Sequence, residues 1–358
     1  MKEIGKKYFE NLNETLKQYF NILSEDIPEF LYEYIGTPAM QKQGRISATS
    51  GCCYTKMHDI KLWYSSLDHS VAVALVVWHF TKDKKQTLSG LFHDIATPAF
   101  KHCIDMMNGD FEKQESTEEL TTKIIKDSKE IMGLLERDGI KIEEVDDYHI
   151  YPIADNDTPM LSADRLEYTL SNGLGVRKEL WGLKEIKEVY NNIEVQVNEN
   201  GIEELGFRDK ELAEKFVKVM GQLSIYYISN TTNFSMQFLS DVMKVMSNNN
   251  LISKKDLYEC SEREVIEKIE NCTIGNVSKC FKTWRESDVI LESDEFVEGT
   301  YCLIGKNKKR YIIPLVKVDN KFVRINEVSD SANQDIQRFL DYKHKKYCYL
   351  KMDKSLEK

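Results

Sequence analysis

The stretch 91-LFHDIATPAFKHCID-105 sets His93 and Asp94 side by side and brings a second histidine, His102, nine positions after the first. Leu88, Leu91, Phe92 and Ile95 recur at the spacing of one buried helical face, so the pair sits on a core helix. Thr97-Pro98 then reads as an N-cap followed by proline at the first helical position, which predicts a turn at 95–97 and a new helix through His102. Three groups able to bind a metal or carry a proton therefore straddle one helix-turn-helix corner. Upstream, Val71, Ala72, Leu75, Val76 and Phe80 follow His69 at intervals that suit another largely buried helix. Downstream, Asp164 lies in the helical run 161-LSADRLEYTL-170.

The rest of the chain frames that corner. With 358 residues it can bury a sizeable core, and its net charge of -10 sets a surface potential that repels nucleic-acid phosphates and anionic lipid. Nucleic acid is an unfavoured partner, and an anionic substrate needs a local positive site, such as a metal ion with one or two arginines. The N-terminal MKEIGKKYFENLNETLKQYF has no apolar run of signal-peptide length, and nowhere do 18 apolar residues follow one another. A cytoplasmic protein with no membrane association is expected. The 8 cysteines contain no C-x-x-C pair and are too sparse for a disulfide scaffold, so they read as reduced thiols, with Cys52-Cys53 as two small hydrophobes at a loop end.

Residues 4–256 are mostly helical in pattern. The polar segment 194-EVQVNENGIEELGFRDK-210 reads as a connection or an excursion from the helical body, and Asn230 to Asn233 as a break in the long apolar run that follows it. From about 257 the character changes: 300-TYCLI-304, 310-RYIIPLVKV-318 and 321-KFVRINEV-328 alternate like strands of a small meander, with YCYLKM as a candidate fourth strand. The expected fold class is mostly α: a helical bundle over residues 1–256 with a C-terminal α+β appendage over 257–358, for which the sequence offers no motif.

Neutral imidazole and ionised carboxylate both offer lone pairs near neutral pH, and His69, His93, Asp94 and Asp164 are the candidates for one shared cation. Taken singly, each has an ordinary structural account; the combination carries the signal. H, then HD, then D on successive helices resembles the HD superfamily of metal-dependent phosphohydrolases, and the flanking residues resemble its deoxynucleoside triphosphate triphosphohydrolase (dNTPase) branch. Asp68-His69-Ser70-Val71-Ala72 is similar to that branch's E-H-S-x-x-V-A run, and Pro98, Phe100 and His102 have counterparts in the residues that follow its HD pair. The segment 37-TPAMQKQGRIS-47 resembles its T-P-x-x-Q-R-L-R-x-I segment, and Asp164-Arg165-Leu166-Glu167-Tyr168 its D-K/R-x-D-Y helix. The resemblance covers about residues 30–260. It implies an HD-domain bundle, one divalent ion per chain, a nucleotide or other small phosphorylated substrate, and a homo-oligomer. Such a nitrogen and oxygen donor set takes Mn, Fe, Co, Ni, Zn or Mg. For the cation to be shared, the imidazoles of His69 and His93 must lie within about 7 Å of each other.

Asp164, Tyr168 and Asn172 stand at i, i+4 and i+8, so one helix face offers a metal ligand, an aromatic ring and an amide in a row. Arg165 would supply a phosphate clamp. By resemblance, Tyr227 is the substrate-stacking tyrosine, Arg45 and Thr49 line the substrate site, and His102 or Glu115 serves as proton shuttle. Several family residues are replaced: a histidine of the corner by Thr97, an arginine before the first histidine by Ser66, a His-Glu pair by Gln114-Glu115, a basic residue by Asn230, and a Gln-Leu pair by Thr49-Ser50. Two functions follow: a phosphohydrolase with a shifted substrate, or a metal- and nucleotide-binding regulator with little turnover. A two-metal oxygenase would need further histidines between His93 and Asp164, where only His102 and His149 occur. His58, His79 and His149 read as structural or surface groups, His58-Asp59 as a solvated loop pair.

Overall fold

Local capping chemistry fixes where the site-bearing helices begin. In the computed structural model, which describes residues 1–110, 120–176, 180–306, 309–352 and 356, Ser65 accepts from the Asp68 backbone N–H while the Asp68 carboxylate accepts from Ser65 N–H. This capping box starts the helix Ser66–Thr81 one turn before His69. Asp83 caps Lys84–Phe92 through two backbone donors, and Ser162 caps Ala163–Gly175. Every residue from Ser66 to Val77 is buried, so this helix is the axis of the bundle. Around it pack Glu14–Leu23, Pro38–Gln43, Lys84–Phe92 and Ala163–Gly175. Two long helices, Lys210–Ile228 and Asn230–Asn248, meet at Ser229, whose hydroxyl caps the second. Among the described residues no helix is long and apolar enough to cross a membrane.

The protein is mostly α with small sheets, as the sequence predicts, but the strands arrange differently from one meander. The segment expected as a connection or an excursion from the helical body is a hairpin, β1 (Ile193–Val197) with β2 (Glu203–Phe207). Its polarity reflects its place: β1 is an edge strand and β2 is the more buried of the two. Of the C-terminal segments, β5 (Leu315–Val318) and β6 (Lys321–Arg324) join that hairpin in the order β1-β2-β5-β6, with β2 and β5 parallel. The strands β3 (Leu291–Ser293), β4 (Tyr301–Leu303) and β7 (Tyr347–Leu350) form a second sheet in the order β3-β7-β4. Pro314 has no N–H to give a ladder, and β5 starts immediately after it, which leaves 310–313 outside either sheet. Gly206 faces Leu315 across the parallel pair; a Cβ there would lie 3.0 Å from that of Leu315, so any larger residue would push the two strands apart by a few tenths of an ångström.

Two apolar clusters result. One gathers the helices from Glu14 to Ile228 together with Ile312, Val316, Ile325, Ala332 and Ile336. The other gathers Phe100, Cys103 and Ile104, the helix Asn230–Asn248, and residues from Leu257 to Tyr301 with Cys348. Contacts therefore cross residue 257 in both clusters. The polar tie is Arg324: its guanidinium reaches both carboxylate oxygens of Glu204, at 2.7 and 2.9 Å, and Glu199 besides. Glu204 is fully buried and also accepts from the Leu161 N–H at 3.0 Å, two residues before the helix that carries Asp164. Removing the guanidinium would leave a buried carboxylate without its counter-charge. Arg324→Ala is expected to lower the unfolding free energy by about 3–5 kcal/mol in urea titrations.

Candidate metal centre

The corner after His93 is built by tertiary contacts, not by the Thr97-Pro98 cap. The helix Lys84–Phe92 stops at His93, residues 94–101 form irregular turns, and the next helix starts only at His102 (His102–Met107). Phe100 and Lys101 both take positive φ, 63° and 44°. What outweighs the cap signal is a set of distant partners. The Ala99 N–H donates to the Leu257 carbonyl at 2.8 Å, and the Phe100 N–H to the buried Glu262 carboxylate at 3.0 Å. From the other side, Gln43 donates to the Ile95 carbonyl and Lys42 to that of Thr97. The outcome turns Lys101 back, so that its ammonium lies 2.6 Å from Asp94 Oδ2.

At the centre, His69, His93, Asp94 and Asp164 converge. The imidazole centroids of His69 and His93 are 5.0 Å apart and their Nε2 atoms 3.2 Å, well inside the required separation. His69 Nε2 is 3.1 Å from Asp164 Oδ1 and 3.9 Å from Asp94 Oδ2; His93 Nε2 is 3.8 Å from each. Ligands about 2.1 Å from one ion stand roughly 3.0–3.4 Å from each other; the distances from His69 Nε2 to His93 and Asp164 fall in that range, and those to Asp94 and from His93 to Asp164 are longer. Orientation is fixed from behind. His69 Nδ1 meets the Glu167 carboxylate at 2.5 Å and His93 Nδ1 donates to the Gly90 carbonyl at 2.7 Å, which turns both Nε2 atoms inward. Such outer partners set the tautomer of a ligating histidine. Among the described residues, the group of His69, His93 and Asp94 is one that could hold a metal ion; the Asp164 carboxylate lies beside both imidazoles, 3.1 Å from His69 Nε2 and 3.8 Å from His93 Nε2.

The charges interlock. Burial would lower the His69 pKa, but the Glu167 and Asp164 carboxylates outweigh it and lift it to about 10. Burial would raise Asp94, but the Lys101 ammonium and both imidazoles hold it well below the usual carboxylate range. Asp164 is likewise depressed, by His69 above all, against its own burial.

Further out, Tyr168 meets Tyr227 edge to face at 6.2 Å, and Asn172 donates to the Tyr227 hydroxyl at 2.8 Å, so the face expected from the i, i+4, i+8 spacing is assembled with the tyrosine from the next long helix. Arg165 is close by but engaged: its guanidinium contacts Asp155 at 3.2 Å and Asn156 at 2.6 Å. His102 holds Asp105 at 3.0 Å through Nδ1, and burial lowers its pKa below the ordinary histidine value. Arg45 is exposed, with Lys42 and Glu264 as charged neighbours, and Thr49 bonds within its own loop to Ser47 and Cys53; neither is brought against the histidines by any described contact. Glu115 lies outside the described residues.

Sequence reasoning passed over three residues of this site: Glu167, Lys101 and Tyr148, whose ring lies 5.1 Å from that of His93. Glu167 left a signal, an acid three positions after Asp164 on a helix's buried side. Lys101 left none, because only the left-handed turn aims it at Asp94. His58 also differs from expectation. It is buried, with Nδ1 2.6 Å from the Tyr226 hydroxyl and Nε2 2.9 Å from Ser235 Oγ, and burial lowers its pKa to about 4. All eight cysteines are free thiols, as predicted.

With this geometry in view, the chain can be set beside known proteins. No protein-family model matches it. It is similar to the uncharacterized protein YdhJ of Bacillus subtilis, 26% identical over 290 residues that take in 80% of this chain and 84% of that protein. A hypothetical protein from Aquifex aeolicus superposes with a TM-score of 0.60 at 14% identity, over 91% of this chain and 93% of that one. A phosphohydrolase from Bacteroides thetaiotaomicron superposes with a TM-score of 0.58 at 13% identity, over 92% and 97%. What is shared at these identities is the fold.

Two outcomes follow. Glu167→Gln keeps the shape behind His69 but removes the charge that orients it, and should weaken Mn²⁺ or Zn²⁺ binding about 10- to 100-fold in metal titrations while circular dichroism is unchanged. Glu262 titrates oppositely to the cluster acids: burial lifts its pKa from 4.5 to about 7, against the hydrogen bonds from Tyr54 and Phe100. An acid raised on folding stabilises fully below its unfolded pKa, and that contribution is lost as pH rises through the folded one. Between about pH 4.5 and 7 the wild type should lose on the order of 3 kcal/mol relative to Glu262→Gln, read from paired denaturation curves.

Proposed function

We propose that this chain is a metal-dependent phosphohydrolase that cleaves a phosphate ester or anhydride of a nucleotide. The observation that carries the reading is the convergence of two inward-facing imidazole Nε2 atoms and two ionised carboxylates within 3.1–3.9 Å, each imidazole locked from behind. A divalent ion held by His69, His93, Asp94 and Asp164 would supply Lewis acidity toward a phosphoryl oxygen and lower the pKa of water there. The fold shared with a phosphohydrolase supports the same class.

The remaining work falls to the chain's own groups. Tyr168 and Tyr227 offer aromatic surface beside Asp164 for a base or sugar, and Asn172, already bonded to the Tyr227 hydroxyl, offers an amide to a base edge. His102, with its Nδ1 proton on Asp105, keeps a lone pair on Nε2 and so can accept a proton near neutral pH. Arg165 needs to leave Asp155 and Asn156 to reach a phosphate. That engagement favours a second reading, a metal- and nucleotide-binding regulator with little turnover.

Release of phosphate, pyrophosphate or tripolyphosphate from a panel of nucleotides, with Asp94→Asn as control, separates the two. The hydrolase reading expects turnover that falls at least 100-fold in Asp94→Asn. No release from any substrate, together with a nucleotide-dependent rise in melting temperature, would replace it with the regulator.

A further inference from the structure

Lys101 buries a charge beside the candidate metal centre. Its side chain is 8% exposed, and its ammonium lies 2.6 Å from Asp94 Oδ2, the same oxygen that stands 3.9 Å from His69 Nε2 and 3.8 Å from His93 Nε2. One carboxylate oxygen therefore separates this ammonium from the place where His69, His93 and Asp94 could hold an ion. The backbone is forced to put it there. Lys101 has a φ of 44° and follows Phe100 at 63°, conformations that residues with a side chain rarely adopt. Leu257 and the buried Glu262 hold this turn from one side, Lys42 and Gln43 from the other. Strain of this kind persists only where surrounding contacts enforce it, and it gathers at functional sites.

An ammonium carries three N–H donors, and a buried one is costly unless they are met. Among the described residues Asp94 Oδ2 is the acceptor for Lys101 Nζ, with no second acceptor and no second carboxylate in ion-pair range. The cations nearby are turned elsewhere: Lys42 donates to the Thr97 carbonyl, and Arg165 is engaged by Asp155 and Asn156. Asp94 has a single negative charge. Shared between the ammonium and a divalent ion, it cannot neutralise both, and the surplus positive charge faces an anion. On a chain of net charge -10, such a local surplus is what an anionic substrate needs. A phosphoryl group spreads its charge over three oxygens, so one can meet the ion while another meets the ammonium. Lysine serves as a point charge in such a contact, with donors that rotate toward the oxygen.

We propose that Lys101 is a catalytic residue whose ammonium binds a phosphoryl oxygen of the substrate, next to the ion that shares Asp94 with it. The inference rests on the phosphohydrolase reading, and it returns a positive group to a corner where Ser66 and Thr97 supply none.

The test uses the full chain as wild type, Lys101→Met and Lys101→Arg, all of which keep a Cβ at the left-handed position. Three quantities are measured: Mn²⁺ affinity, affinity of the Mn²⁺-loaded chain for inorganic phosphate, and kcat/KM on the best nucleotide of the panel. In Lys101→Met, phosphate affinity should fall about 10-fold and kcat/KM about 100-fold, with partial recovery in Lys101→Arg. Mn²⁺ binding should stay equal or tighten, because a like charge has left Asp94. A Lys101 that only neutralises Asp94 would tighten Mn²⁺ binding in Lys101→Met yet leave phosphate affinity and kcat/KM within about two-fold of wild type, which would overturn the proposal. Weaker Mn²⁺ binding together with a lower melting temperature, not recovered in Lys101→Arg, would make Lys101 a folding residue and overturn it as well. A wild type that binds phosphate but releases none from any nucleotide would overturn the phosphohydrolase reading alone if phosphate affinity still fell about 10-fold in Lys101→Met, and both if it did not.

Discussion

The candidate centre depends on one buried carboxylate. Glu167 has no solvent exposure, and a charge so placed persists only if donors surround it. Three do: the Tyr19 hydroxyl at 3.0 Å and the Tyr64 hydroxyl at 2.6 Å on one oxygen, the His69 imidazole on the other. Tyr19 belongs to the helix Glu14–Leu23, Tyr64 to the approach to the helix Ser66–Thr81, and Glu167 to Ala163–Gly175. Satisfying one carboxylate therefore sets the relative positions of three segments, and the imidazole it orients then faces Asp164 one turn earlier on the same helix. The functional geometry is a by-product of solving a burial problem.

The second constraint is where this occurs. His69, His93 and Asp164 stand on helices of one apolar cluster, whereas Ala99, Phe100 and Cys103, a few residues after Asp94, already belong to the other. The chain changes clusters within the corner, and two consecutive left-handed residues, each costing about 1–3 kcal/mol, accommodate the change. Leu257 and Glu262 on one side and Lys42 and Gln43 on the other offset that strain. A seam between packed bodies is a usual place for a pocket, because neither core fills it.

This also explains what could be read from the sequence. Helix-borne features were legible: the buried run after His69 and the Asp164-Tyr168-Asn172 face both follow from spacing along one element. The four-residue convergence was legible through pattern and family resemblance together, since no spacing rule brings positions 69, 93 and 164 to one point. Features made by tertiary contact were not. The Thr97-Pro98 cap was overruled by Leu257 and Glu262, more than 150 residues away, and Lys101 reached Asp94 only because of that. β1 was hidden by its polarity as an edge strand, although Ile193, Val195 and Val197 alternate with Glu194 and Gln196 as a strand requires. With β1 and β2 unseen, β5 and β6 had no visible partner and read as part of a local meander.

The parallel pairing of β2 with β5 has a temporal side. During synthesis, the hairpin at 193–207 emerges long before the strand that covers it, and the guanidinium that neutralises Glu204 arrives only with residue 324. Until then Leu205 and Phe207, buried in the finished molecule, have an open flank, and the Asp164 helix lacks the support it receives through Leu161. A nascent chain must carry an unfinished edge through more than a hundred further residues, so this protein's assembly is governed by long-range closure, slow in folding terms and late on the ribosome.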